Sequence, residues 1–315
     1  MKQLFIGLLC SLGVATGCFA QDGELLKKNI SDTMLSPTRV LEIPEPFDGQ
    51  NALLKLFPGK HYKIVSGDYT NEMINWDCTG CKAKSYIDAN EDAAYNFPYA
   101  EGVATRLLNV ISYKDSSGTQ YKMLTFNHSE YDVDGAQVSR FTGGTLGIAK
   151  FALSGKVWSM KFFQPAIGAY GAFSSCPDPK ALMIGHDQYA FMLKVVNGPA
   201  GGPFAGVLYL IAGTGGTYKQ VMAMYDAERT KVSEEEGLAS WDCTYSCPES
   251  DKRFFRDIIV TIKGNYTATD LESLPDEVRP YAKTNKKGTF TLARRYVFKW
   301  GKGYQLQGPA GVTVD

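Results

Sequence analysis

From Leu107 onward the sequence repeats one short pattern: a β-rich run, a glycine-bearing turn, then an aromatic residue opening the return strand. Val110–Tyr113 turns at Ser117-Gly118 and returns at Tyr121, and Gly147–Leu153 turns at Ser154-Gly155 and returns at Trp158. Ala181–Ile184 turns at Gly185 and returns at Tyr189, and Val207–Ala212 turns at Gly215-Gly216 and returns at Tyr218. Ile258–Ile262 turns at Gly264 and continues at Tyr266, and Phe290–Trp300 turns at Gly301-Lys302-Gly303 and returns at Tyr304. Branched and aromatic residues suit a pleated surface, and glycine supplies the backbone angles that tight hairpin turns demand. The aromatic landmarks recur roughly 30 to 50 residues apart, as in a propeller or a two-sheet meander. Each unit offers two strands where a propeller blade has four. The expected fold is therefore mainly β: an antiparallel hairpin meander, sandwich-like or incomplete propeller-like, with one or two short helices.

Before Leu107 the pattern is less regular. Leu25, Leu26 and Ile30 share a helical face, so Gln21 to Pro37 is expected to form a short helix stopped by the proline. Ala52–Phe57 and His61–Val65 read as strands around Pro58-Gly59, and Asp88 to Phe97 as loop or one helical turn. A second helix is expected from Asp270 to Ala282, shortened by Pro275 and Pro280. The domain reading is a leader at 1–20, an N-terminal region at 21–106 and a β-hairpin domain at 107–315, with the alternative that the last two form one domain.

The first 20 residues carry Lys2, a short apolar run from Leu4 to Val14 and a small-residue exit at Ala20, the layout of a secretory signal. The expectation is export to the periplasm or beyond, with a mature N-terminus at Gln21. The alternative is a lipoprotein anchored at Cys18, since Ala15-Thr16-Gly17-Cys18 resembles an acylation signal. No later apolar run reaches the length of about 20 residues that a membrane span needs. Lys plus Arg and Asp plus Glu both number 33, so no net field favours nucleic acid or an anionic membrane.

Between Gly144 and Gly171, the segments Leu146–Phe151, Gly155-Lys156-Val157-Trp158 and Ile167–Gly171 resemble exported bacterial proteins of unknown function. The resemblance implies a protein of the bacterial envelope and brings no active site with it.

One tetrapeptide occurs twice, as Trp76-Asp77-Cys78-Thr79 and Trp241-Asp242-Cys243-Thr244, each followed by a second cysteine, Cys81 and Cys247. In an oxidising compartment these four cysteines are expected to be disulfide-bonded, Cys78 with Cys81 and Cys243 with Cys247, leaving Cys176 as a free thiol. Two other chemistries use the same residue types. A four-thiolate zinc site fits the ligand types but not the unequal spacings, and a redox dithiol at Cys78 and Cys81 lacks the following helix that lowers a thiol pKa. Trp76 and Trp241, beside polar loops, are candidates to stack on a sugar ring or a peptide; otherwise each plugs the core over its neighbouring disulfide.

The histidines His61, His128 and His186 are scattered, and no nucleophile elbow is present. His186 and Asp187 are adjacent but would not face each other in a strand. Thr214–Thr217 resembles a phosphate loop but precedes a strand rather than a helix, so it reads as a hairpin turn. Asp88–Asp92 and Asp132–Gly135 have oxygen ligands at calcium-like spacing but lack the distal glutamate, and they read as solvated loops, as does Ser233–Glu236. No catalytic, cofactor or metal residue is assigned. The expected function is a non-enzymatic, β-rich binding or structural protein whose partner is an envelope protein or glycan, and the alternative is a secreted hydrolase with a His/Asp site.

Overall fold

A computed structural model describes residues 24–67, 69–90, 93–133, 140–230, 238–308 and 310–314. The leader with Cys18 and Gln21, the distal parts of both acidic loops and Ser233–Glu236 lie outside the described residues. Among the described residues the chain is mainly β, with two antiparallel-rich sheets and no closed barrel.

The first sheet has ten strands: β1 (Lys28–Asn29), β2 (Glu42–Pro44), β3 (Lys60–Ser66), β4 (Tyr69–Asp77), β5 (Lys84–Asp88), β6 (Ala93–Phe97), β7 (Val103–Lys114), β8 (Gln120–Glu130), β9 (Gly144–Ser154) and β10 (Val157–Tyr170). Its main order is β1-β4-β7-β8-β9-β10-β5-β6, with β3 added on β4 and β2 on β10. The second has nine strands in order of sequence: β11 (Lys180–Gly185), β12 (Gln188–Asn197), β13 (Ala205–Thr214), β14 (Thr217–Arg229), β15 (Ser240–Ser246), β16 (Ile258–Thr267), β17 (Lys287–Lys299) and β18 (Gly303–Leu306), with β19 (Gly311–Val314) also pairing β17. Two α-helices, α1 (Gly49–Leu56) and α2 (Arg279–Thr284), and two 3-10 segments, Asp32–Leu35 and Ala268–Ser273, complete the described elements.

Strand alternation sorts the side chains into three cores. Leu124, Phe126, Ala149 and Phe151 turn to the outer face of the first sheet, where Leu53, Leu56 and Phe57 of α1 and its C-terminus cover them. Their neighbours Met123, Leu146 and Ile148 turn inward and meet Phe191, Leu193, Tyr209 and Ile211 of the second sheet. Met192, Leu208 and Leu210 point out the far side, packing with Trp241, Tyr266 and Phe290 under Leu274, Val278 and Ala282. The layer order is helix, sheet, sheet, helix. Hydrogen bonds fasten the two sheets at their margins: Gln164 Oε1 accepts from Tyr218 N at 2.9 Å, and Tyr209 Oη donates to Ala89 O at 3.2 Å.

Five of the six hairpin turns expected from the sequence join consecutive strands. Gly264 does not turn the chain; it lies within β16, where its missing side chain admits Trp241 from the neighbouring strand. Over its described part, 24–37, the expected helix is replaced by extended chain and one 3-10 turn, because Leu25 N and Ile30 N donate to Val133 O and Asp77 O rather than to their own preceding turn. Ala52–Phe57, expected as a strand, is mostly helix: Ala52, Leu53, Leu56 and Phe57 fall on one helical face, and Asp48 Oδ1 caps the start by accepting from Asn51 N at 2.6 Å. Asp88–Phe97 contributes β6 and the end of β5, a hairpin rather than a loop. The expected second helix is two pieces, separated around Pro275. The division at 106/107 falls inside β7; the sheets change over between Tyr170 and Lys180.

Candidate functional site

The tryptophans of the repeated tetrapeptide play the same structural part, one in each outer layer. Trp76 is fully buried, stacked on Phe57 with centroids 5.5 Å apart, and its indole Nε1 donates to Thr105 Oγ1 at 2.7 Å. Trp241 is 5% exposed, packs against Phe290 and donates its Nε1 to Asp226 O at 3.0 Å. Neither presents a face to a ligand, which corrects the expectation that they stack on a sugar or peptide. A bulky indole on the helix-covered face of a sheet removes more apolar area from water than it could cover at a loop.

The cysteines divide likewise. Cys78 and Cys81 are disulfide-bonded, with Cα atoms 5.3 Å apart. Cys243 and Cys247 are half-buried free thiols, which corrects the second expected bridge. Cys243 lies inside extended β15 and Cys247 just past its end, and four extended residues span about 13 Å, well beyond disulfide reach. Cys78 packs with the outer core of the first sheet and the other two with that of the second, so no four-thiolate tetrahedron is assembled. Burial pushes the Cys243 thiol up to about 11 and raises Cys247 as well. Cys176 is a free thiol, 2% exposed, with a pKa raised strongly by burial. Among the described residues, no group of three or more His, Cys, Asp or Glu side chains is placed to hold a metal ion.

Each histidine has a structural partner. His128 is buried among aromatic rings: Thr105 Oγ1 lies 2.7 Å from Nδ1, and Nε2 lies 3.1 Å from Pro165 O. Because Pro165 O only accepts, Nε2 carries the proton, Nδ1 accepts from Thr105, and the relay runs from Trp76 through Thr105 to His128. Desolvation holds this imidazole down at about 3. His61 pairs with Glu72 at 2.9 Å on the surface. His186 and Asp187 do face each other, at 3.3 Å, because Asp187 adopts φ 52° in a turn. Ser116 Oγ donates to that same carboxylate at 2.5 Å. The carboxylate thus sits between serine and imidazole, whereas a hydrolytic triad needs the imidazole in the middle. Asp187 ties the β7–β8 hairpin to the β11–β12 turn. Asp88, from the first acidic loop, is buried and accepts from Gly143 N at 2.7 Å and Asn90 N at 2.9 Å, ordering the loop.

The exposed tryptophan is neither of the two expected to stack on a ligand. Trp300, at the tip of the β17–β18 hairpin, is 77% exposed, while Trp76, Trp158 and Trp241 are buried. It is nonetheless braced. Phe255 and Phe298 stack with centroids 3.9 Å apart, and Trp300 stands across both at 5.5 and 5.3 Å, at 77° and 88°. Near-equal distances to two rings stacked 3.9 Å apart set the indole beside the pair rather than on its outer face. Edge-to-edge contact would need roughly 6.5 Å between centroids, so the indole lays one face over the edges of the phenylalanine pair. Its other face is free.

Trp300 borders a cleft of about 520 Å3 between the β13–β14 and β17–β18 hairpins. The cleft exists because β18 packs onto β14: Gly303, at φ 76°, brings its Cα so close that a Cβ would lie 2.3 Å from Val221 O. Phe298 and Tyr304 supply apolar walls, and Lys219, Lys302, Gln220 and Gln305 the polar groups. Among the described residues, the lining holds no carboxylate, imidazole or thiol. Burial raises the Tyr304 phenol, and it donates to Arg256 O at 2.9 Å, so it stays protonated. The only sequence signal for this site was an aromatic residue beside a glycine-flanked lysine at a hairpin tip.

Compared with protein-family models, curated proteins and solved structures, the chain matches none.

Proposed function

We propose that this chain is an exported, non-enzymatic binding protein of the bacterial envelope, with a mature N-terminus at Gln21 or an acylated Cys18, and that it holds a glycan or protein partner at the Trp300 cleft. The observation that carries this reading is the braced, exposed indole bordering a concave site furnished with amines and amides. Such a wall can stack and hydrogen-bond a ligand, and its described residues include no carboxylate, imidazole or thiol to serve as a general acid or base. The Cys78–Cys81 bridge supports an oxidising compartment. Among the described residues, no helix is long and apolar enough to cross a membrane.

Immobilised mature chain tests the proposal. Saturable retention of an envelope fraction by the native chain, lost in Trp300→Ala, supports it. Retention unaffected by that change moves the site elsewhere. Turnover of an ester, phosphate or glycoside that vanishes when His61, His128 or His186 is replaced would put the hydrolase reading in its place.

A further inference from the structure

Resting on the reading of the Trp300 cleft as a binding site, we infer that its ligand is an anionic saccharide: a hexose ring stacked on the free face of Trp300, with a carboxylate or sulfate held by Lys219 and Lys302. Three observations converge. The indole face is flat, exposed and fixed from behind, so stacking a ring orders little that is not already ordered. Gln220 and Gln305 border the same space with exposed side chains, and Gln305 Oε1 remains available because its amide nitrogen is the end that donates to Lys302 O and Tyr304 O. Amides alternating with a flat face suit ring hydroxyls, which need both donors and acceptors.

The charge decides between neutral and acidic sugars. Among the described residues, two lysines line the cleft and no carboxylate does. Lys63 and Lys252, by contrast, face the carboxylates of Glu72 and Asp257. Over the whole chain the charges balance, so the local excess is a property of the two hairpins rather than of the composition. A cationic cleft on a neutral protein concentrates anions there and not generally over the surface.

The test titrates the mature chain with short oligomers of galacturonate, of sulfated dextran and of plain dextran, following tryptophan emission and heat. At least one charged oligomer is expected to bind about tenfold more tightly than dextran, the advantage falling as salt rises. Lys219→Gln with Lys302→Gln should bring the charged oligomers down to the dextran level, and Trp300→Ala should weaken all of them by about 30-fold. All three positions are exposed, and an unchanged thermal midpoint confirms folding. Galacturonate against sulfated dextran tells carboxylate from sulfate recognition. Dextran binding as tightly as the charged oligomers overturns the anionic inference while leaving a binding site. Charged binding insensitive to the variants overturns the location, and so does the absence of any binding, with envelope retention then judging the broader reading separately. Oligoglutamate outcompeting the sugars would assign the cleft to an acidic peptide instead.

Discussion

Gly264 stands directly opposite Trp241 in the β15–β16 ladder, and a Cβ built on it would lie 2.4 Å from the Cβ of Trp241 and 2.2 Å from Ser240 O. Both obstacles are backbone or fixed core, so the strands themselves have to part. Gly264→Ala is expected to destabilise the fold by about 2–3 kcal/mol, measured by urea denaturation. Gly80→Ala, where a Cβ meets nothing within 4 Å, is the control and should stay within about 0.5 kcal/mol. Equal effects at the two positions would show that the ladder yields at Gly264.

The His128 relay predicts a pH dependence with a definite sign. The folded state keeps the imidazole neutral down to about 3, while the unfolded chain protonates it near the ordinary 6.5. Below 6.5 the unfolded state therefore binds more protons, and stability falls as pH drops, by up to about 1.4 kcal/mol per pH unit. Above 6.5 this contribution is flat. Denaturation midpoints at pH 7, 6 and 5 should show a shallower acid slope in His128→Gln. An unchanged slope would mean that His128 titrates normally in the fold.

Thr105 is the hinge of that relay, accepting from Trp76 and donating to His128. Thr105→Val keeps the shape but leaves an indole N–H and an imidazole nitrogen without partners in a dry core. The expected loss is roughly 3 kcal/mol; a loss below about 0.5 kcal/mol would show that the relay adds nothing net.

Thiol trapping of unreduced protein, followed by peptide mapping, should find Cys78 and Cys81 joined and Cys176, Cys243 and Cys247 free. Alkylation of the native fold near pH 8 is expected to be slow at Cys243, whose thiol is held at about 11, and nearly absent at buried Cys176. Replacing Cys78 and Cys81 with serine should cost only about 2 kcal/mol, because the closed loop is short. Recovery of a Cys243–Cys247 bridge from folded protein would contradict the extended β15.

Only one of the chain's four tryptophans is open to solvent. Acrylamide should quench a minor, red-shifted component of the emission, and Trp300→Phe should remove that component while leaving the unfolding free energy within about 0.5 kcal/mol. Quenching that persists in the variant would place another indole at the surface.

The sequence alone determined the class of fold and most of its hairpins, because alternation and turn glycines are local and act wherever they stand. It also determined that Trp76 and Trp241 share a role, since the same four residues recur. It could not determine which role. A tryptophan beside polar residues looks the same whether a helix covers it or water does, and that cover comes from α1 and α2, distant in the chain. Ala52–Phe57 was ambiguous for a similar reason: a short apolar run suits helix or strand, and a capping aspartate with a sheet face to lie on decided for helix. Gly264 looked like a turn until the neighbouring strand supplied Trp241. The cleft was invisible beforehand because its walls come from hairpins about 80 residues apart along the chain, brought together only when β18 folds back on β14. Exposure and convergence are properties of the packed sheets, set by which faces find partners, and no single stretch of sequence carries them.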